Sequence, residues 1–221
     1  MSLLSSDSSS ARDLAKVSAA IEANHMRAHY ARTPQEAFII AKSFLTPGCK
    51  VAVGGSYTLR QIGIQQLIET GPYDYVNRYV PDTFEIDTTL PASTIEQSFL
   101  SAYDADVYFA SANALTCSGE LMFVDGQGNR VSAVSFGPRK VVLIVGENKI
   151  VDNIEAGFER IKTVAAPANN RRYNRSTPCV KLGYCTNCKH EQRGCSDYLI
   201  LSHQRDKERI HIIVVAQSLG F

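Results

Sequence analysis

An α/β layered fold with a mostly parallel sheet is predicted by two observations. Short β-branched runs at residues 50–53, 106–110 and 141–146 alternate with helical patterns, and the last, VVLIVG, is apolar throughout, as in strands buried on both faces. The first of these runs passes through Gly54-Gly55-Ser56 straight into an amphipathic helix, the strand–turn–helix junction of such folds.

The elements follow in order. Ser-rich residues 1–10 are expected to be a disordered N-terminus. From Ala11 onward Leu14, Val17 and Ile21 fit one helical face. Thr33-Pro34-Gln35-Glu36 makes a capping box, and its helix buries Ala37, Ile40, Ala41 and Phe44 before Pro47-Gly48. Leu59, Ile62, Leu67 and Ile68 mark the inner face of the helix after the double glycine, and the aromatic stretch 73–79 is strand or loop. Residues 91–103 read as helix. Residues 121–124 and 130–135 flank Asp125-Gly126-Gln127-Gly128-Asn129 as a hairpin edging the sheet. Asp152, with Glu155 three residues on, caps a helix that turns Ile154, Phe158 and Ile161 inward. After Pro167 the pattern dissolves into a basic loop, and strands at 198–201 and 210–215 close the chain. The expected organisation is an α/β domain over 11–168, a basic metal-binding cysteine loop over 169–196, and C-terminal strands over 197–221 that return to the main sheet.

At 221 residues the chain suits one domain. An apolar fraction of 44%, a charged fraction of 20% and a net charge of +1 are those of a soluble globular protein, and they argue against nucleic acid or an anionic membrane as partner. No apolar run is long enough for a bilayer span, and MSLLSSDSSS lacks the features of a signal peptide, so a cytoplasmic protein is expected. Basic residues between Arg171 and Arg193 form either a solvated loop or a dock for a phosphorylated ligand or acidic partner.

Ligands of open parallel sheets sit at the carboxyl ends of strands. Three predicted turns lie there. Gly54, Gly55 and Ser56 let backbone and a helix N-terminus approach a carboxylate or phosphate; equally, they make a sharp turn capped by Ser56 that needs no ligand. Asn113 after the 106–110 strand could orient a substrate, and Asn148 and Lys149 after VVLIVG could orient one and pair with an anion. The turn lacks the lysine of a Walker loop and does not match GxGxxG, which disfavours ATP and NAD. Asp82, Glu85 and Asp87 could add carboxylates, and no histidine falls in a strand-end turn. Cys117 reads as a small buried residue near the cleft.

Cys179, Cys185, Cys188 and Cys195 give the spacing C-x5-C-x2-C-x6-C. In a reducing compartment, a central C-x2-C with two outlying cysteines suits tetrahedral zinc or an iron–sulfur cluster, with the basic residues offsetting thiolate charge. The alternative is a set of unligated thiols.

VGGSYTLRQIG, the stretch 111–151 and the cysteine tail together resemble the LUD, or lactate-utilisation domain, family from about residue 20 onward. The most specific pieces are G-N-R-V at 128–131, F-G-P-x-K at 136–140 and the V-G-x-N-K-I-V series ending at Val151. The resemblance implies a doubly wound, mostly parallel sheet similar to sugar-phosphate isomerases and CoA transferases, with a small cysteine-bearing C-terminal extension and a cleft at the glycine turn. It also implies a link to iron–sulfur-dependent lactate oxidation, which favours a 4Fe–4S cluster over zinc. The chain departs from the family pattern at Thr116-Cys117-Ser118, before Gly119, where relatives carry an acidic residue; this argues against a carboxylate nucleophile there.

Two functions follow as expectations. In the first, the domain binds a small anionic metabolite of lactate or related organic-acid metabolism, and the metal centre exchanges electrons with a partner protein. In the second, the chain is a non-catalytic sensing or assembly module with structural zinc or a redox switch. No base or nucleophile is legible that would decide between them. A homo-oligomer is compatible with either.

Overall fold

The computed structural model describes residues 7–80, 83 and 85–221, and side chains from residue 14 onward. The first part of the chain runs α1 (Asp7–Ala23), β1 (Arg27–Ala31), α2 (Pro34–Lys42), β2 (Val51–Val53), α3 (Tyr57–Gln61), α4 (Ile64–Thr70), α5 (Ala92–Leu100) and β3 (Val107–Ala110). It continues through β4 (Ala114–Thr116), β5 (Leu121–Asp125), α6 (Asn129–Ser135), β6 (Lys140–Gly146), a 3-10 turn (Glu147–Lys149) and β7 (Ile150–Val151). Then come α7 (Ile154–Arg160), a π-helical turn (Ile161–Ala165), α8 (Ala166–Arg172), α9 (Pro178–Leu182), β8 (Asp197–Leu201) and β9 (Ile210–Val215).

Five strands form a wholly parallel main sheet in the order β1-β9-β6-β3-β2. Its period-2 alternation divides the core in two. Val141, Leu143 and Val145 of β6 face one cluster with Leu14, Val17 and Ile21 of α1 and Ala133 and Val134 of α6. Val142 and Ile144 face the other, with Ala37 and Ala41 of α2 and Ile64 and Ile68 of α4. Helices thus cover both faces of a doubly wound sheet, and burial of each of these valine, leucine and isoleucine side chains stabilises by roughly 1.5–3 kcal/mol. A second sheet, β7-β4-β5-β8, shares Leu115, Leu121, Phe123 and Leu201 with the first cluster and turns Ala114, Met122 and Val124 toward Ile161 and Ala166.

Several local expectations hold. Thr33 caps α2, its Oγ1 accepting from Glu36 N at 3.2 Å. Others are overturned. Residues 130–135 alternate like a strand, but α6 forms there because the Asp125 carboxylate accepts from Arg130 N at 2.8 Å and Val131 N at 2.9 Å, and Gly128 enters the left-handed region at φ 71°. The helix after Gly55 is two helices, broken at Gly63 with φ 84°. Asn153, not Asp152, caps α7 by accepting from Ala156 N at 2.9 Å. Of the C-terminal strands only β9 returns to the main sheet; β8 pairs with β5 in the second. The basic segment after Pro167 holds most of α8 and all of α9. α1 already begins at Asp7, residues 1–6 lying outside the described residues. Cys117 is exposed. Among the described residues no helix is long and apolar enough to cross a membrane.

β1 and β9 bring His29 and His211 together, with His29 Nε2 3.1 Å from His211 Nδ1. His211 Nε2 faces the Glu208 carbonyl at 3.0 Å, so it carries the hydrogen, and Nδ1 accepts from His29. Burial lowers the pKa of both rings, and the pair's mutual repulsion lowers that of His211 further; Glu22 and Glu208 oppose this, whereas Arg27 and Lys140 reinforce it. The folded state therefore holds fewer protons here than the unfolded chain. Stability is fully present above the unfolded histidine pKa of about 6.5 and falls as pH drops below it. Thermal melts between about pH 7 and 5, above the carboxylate range, should show a falling Tm, and His29→Gln should flatten that slope.

Candidate functional site

The neighbouring carboxyl ends of β2, β3 and β6 open onto a cavity of about 450 Å³. Gly55, Ser56, Asn113 and Lys149, all expected at the site, line it. Gly54 lies behind its wall and has a different task. A Cβ there would stand 2.7 Å from the Tyr108 hydroxyl and 3.3 Å from Arg130 Cδ, and one on Gly55 2.6 Å from the Tyr79 hydroxyl. The double glycine thus makes room for the protein's own side chains. Ser56 precedes α3 without a side-chain capping bond. Asn148 turns away: its Oδ1 accepts from Leu219 N at 3.0 Å and its Nδ2 donates to Gly220 O at 3.3 Å, pinning the segment 219–221 beside the cavity.

Part of the cavity's charge, Arg78 and Arg130, escaped sequence reasoning. Arg78, Arg130, Lys149, Arg172 and Arg175 line it, and Asp125 is the acidic side chain there among the described residues. Asp125 is already engaged. Arg130 Nε donates to Asp125 Oδ1 at 3.0 Å, and its Nη atoms reach Ser111 O, Asn113 Oδ1 and Val124 O at 2.6–2.8 Å, tying β3, β4, β5 and α6 into one corner. Asn113 is thereby a structural acceptor, also taking Val124 N at 2.9 Å.

Arg78 is 2% exposed. It donates to Val53 O at 2.9 Å and the Tyr79 hydroxyl at 2.6 Å, and lies over the rings of Tyr79 and Phe99. Its Nε is buried without a hydrogen-bond partner, and no carboxylate among the described residues pairs with it. A buried cation so placed is costly unless an anion arrives. On the opposite side, Arg172 of α8 stacks on Tyr173 and Tyr57 at 4.4 and 5.4 Å, fixing the edge of the basic segment. The π-helical turn precedes α8, and Ala165 and Ala166 line the cavity, so the extra residue of that turn sets where α8 meets it. Lys149 donates to Thr58 Oγ1 at 3.0 Å and Ser111 Oγ at 2.9 Å; burial, then Arg160 and Arg130, push its pKa down to about 7.

The tail cysteines lie outside the lining, although Gly194 and Arg175 within their segment touch it. Cys179 is buried in α9 beside Asn170 Nδ2 and Thr177 Oγ1, each at 3.3 Å. Burial raises the pKa of the Cys195 thiol against Arg193, with Cys185 and Cys188 near enough to raise it further. Among the described residues, no three histidine, cysteine or acidic side chains gather in a way that could hold a metal ion. Asp82 lies outside the described residues; Glu85 and Asp87 do not line the cavity.

The model of the LUD domain matches residues 14–215. The chain belongs to the LUD domain family. That family is associated in general with lactate utilisation. The LUD domain spans nearly all of the chain, from α1 to the last residue of β9. A solved structure, of a DUF162 family protein from Deinococcus radiodurans, is similar with a TM-score of 0.48 and 16% identity over 93% of this chain and 98% of that one. No curated protein matches. The corner where the LUD domain meets its cavity includes the stretch most specific to the resemblance, since Arg130 stands in the G-N-R-V segment and Lys149 in the V-G-x-N-K-I-V segment.

Proposed function

We propose that this LUD domain binds a small carboxylate of lactate-related metabolism in the cavity at the strand ends. The observation that carries this reading is Arg78, a buried guanidinium on the cavity wall with an unsatisfied Nε and no carboxylate among the described residues to balance it. Further support comes from the lining, where four arginines face one carboxylate already held by Arg130. A volume of about 450 Å³ falls within the range of small-molecule sites, about 300–1,000 Å³. Hydrogen bonds from a buried guanidinium to a carboxylate are short, charge-assisted and directional, so they select this class over neutral polyols.

The cysteine tail enters the same proposal as a metal site on donor chemistry alone. An iron–sulfur centre would exchange electrons with a partner protein; zinc would hold the segment in place.

Calorimetry of the anaerobically purified protein against L-lactate, pyruvate, inorganic phosphate and propane-1,2-diol tests the pocket, with iron and zinc quantified on the same sample. Lactate or pyruvate should bind, more weakly as salt rises, and the diol should not. Binding of phosphate alone, or of none of these, overturns the carboxylate reading. Absence of both metals overturns the tail reading.

A further inference from the structure

Lys149 is 3% exposed at the cavity wall, where the 3-10 turn leaves β6. Its hydrogen bonds run to two neutral hydroxyls, Thr58 Oγ1 at 3.0 Å and Ser111 Oγ at 2.9 Å. Ser111 gives its own hydrogen to the Ile144 carbonyl at 2.6 Å, so toward Lys149 it accepts. A neutral amine has two N–H bonds and one lone pair. It satisfies both hydroxyls and keeps the pair, whereas an ammonium has a third N–H for which no acceptor is placed among the described residues.

The charged groups around the amine act in the same sense. Arg130 of α6 and Arg160 of α7 both disfavour a second cation, and burial removes the water that would solvate it. The backbone of Gly220 closes the other side, where a Cβ would stand 3.1 Å from Nζ and 2.6 Å from Thr58 Oγ1. A desolvated lysine beside other cations is the usual arrangement of an amine nucleophile. In a cavity whose remaining cations suit a carboxylate, the electrophile such an amine can attack is a carbonyl carried by that same anion.

We infer that Lys149 forms a reversible imine with a short 2-oxo carboxylic acid held in the cavity. The inference rests on the carboxylate reading above and adds the carbonyl. The Nζ lone pair attacks the carbonyl carbon to give a carbinolamine; both amine hydrogens pass to the former carbonyl oxygen, which leaves as water. C=N replaces C=O, and no oxidant or reductant is consumed. The Thr58 hydroxyl, 3.0 Å from Nζ, is within reach to carry the proton.

The test is trapping with sodium cyanoborohydride in the presence of pyruvate, read by peptide mapping, with L-lactate as the carbonyl-free control and calorimetry in parallel. Reduction should leave on the Lys149 peptide a mass equal to pyruvic acid minus one oxygen atom. The rate should be half-maximal near the pKa of about 7, not in the ordinary lysine range near 10.4. Lys149→Arg should lose this adduct, and the other lysines of the wild-type protein are the internal standard should that variant fail to fold. Pyruvate binding with Lys149 unlabelled, or labelled no faster than surface lysines, overturns the imine and leaves the anion pocket standing. If neither acid binds, the carboxylate reading falls and the imine with it.

Discussion

Replacing Arg130 by alanine should be the most damaging single change near the cavity. Arg130 and Asp125 are 14% and 8% exposed in their side chains and meet at 2.8 Å, so the pair is largely shielded from solvent. Removing the guanidinium leaves a buried carboxylate without its cation, and also strands the Ser111 and Val124 carbonyls and Asn113 Oδ1. Breaking one side of such a pair costs about 3–5 kcal/mol. For a chain of this length that lowers Tm by roughly 10 °C, measurable by scanning calorimetry. Arg130→Lys should recover only part of the loss, because one ammonium cannot span acceptors on separate elements as the fork does. Adding Asp125→Ala to Arg130→Ala should cost much less than the sum of the singles, since the stranded charge is then gone. Additive losses would show that the two side chains act independently.

The main sheet is legible wherever local pattern and burial agree. VVLIVG reads as a strand covered on both faces because each of its two alternating sets meets a helical layer. The capping box at Thr33 is legible for the same reason, its donors and acceptors lying within one turn. Residues 130–135 mislead because the signal that makes them helical lies upstream, in the side chain of Asp125 at the end of β5. The second sheet is hidden in a similar way, since β8 meets β5 across more than seventy residues of chain.

Among the candidate site residues, Lys149 is legible as the charged residue of a strand-end turn. Its neutral partners are not, because Thr58 and Ser111 lie 91 and 38 positions away. The double glycine is legible as a place of close approach, but what approaches is Tyr108, Tyr79 and Arg130. Arg78 leaves no trace in the sequence. It stands in an irregular aromatic stretch with neither periodicity nor a charged neighbour to mark it, and it becomes a site residue only when β2 and Phe99 fold around it.

Arg78→Met should therefore separate binding from folding. Methionine keeps the length and apolar contact of the arginine stem but removes the charge. The protein loses two hydrogen bonds, to Val53 O and the Tyr79 hydroxyl, and is relieved of a buried cation that no carboxylate among the described residues balances. These effects oppose each other, as in other buried ionic groups replaced by apolar ones, so Tm should stay within a few degrees of the wild type. Anion affinity should fall by about 10- to 100-fold, the worth of a charge-assisted hydrogen bond of roughly 1.5–3 kcal/mol. Arg78→Lys should retain part of the affinity and of its salt dependence, having the charge without the second donor. Calorimetry with pyruvate or L-lactate on each variant reads the effect, with melts recorded on the same samples. A tie that served only the fold would give the opposite pair of results: Arg78→Met would melt far lower, and its folded fraction would bind the acid as the wild type does.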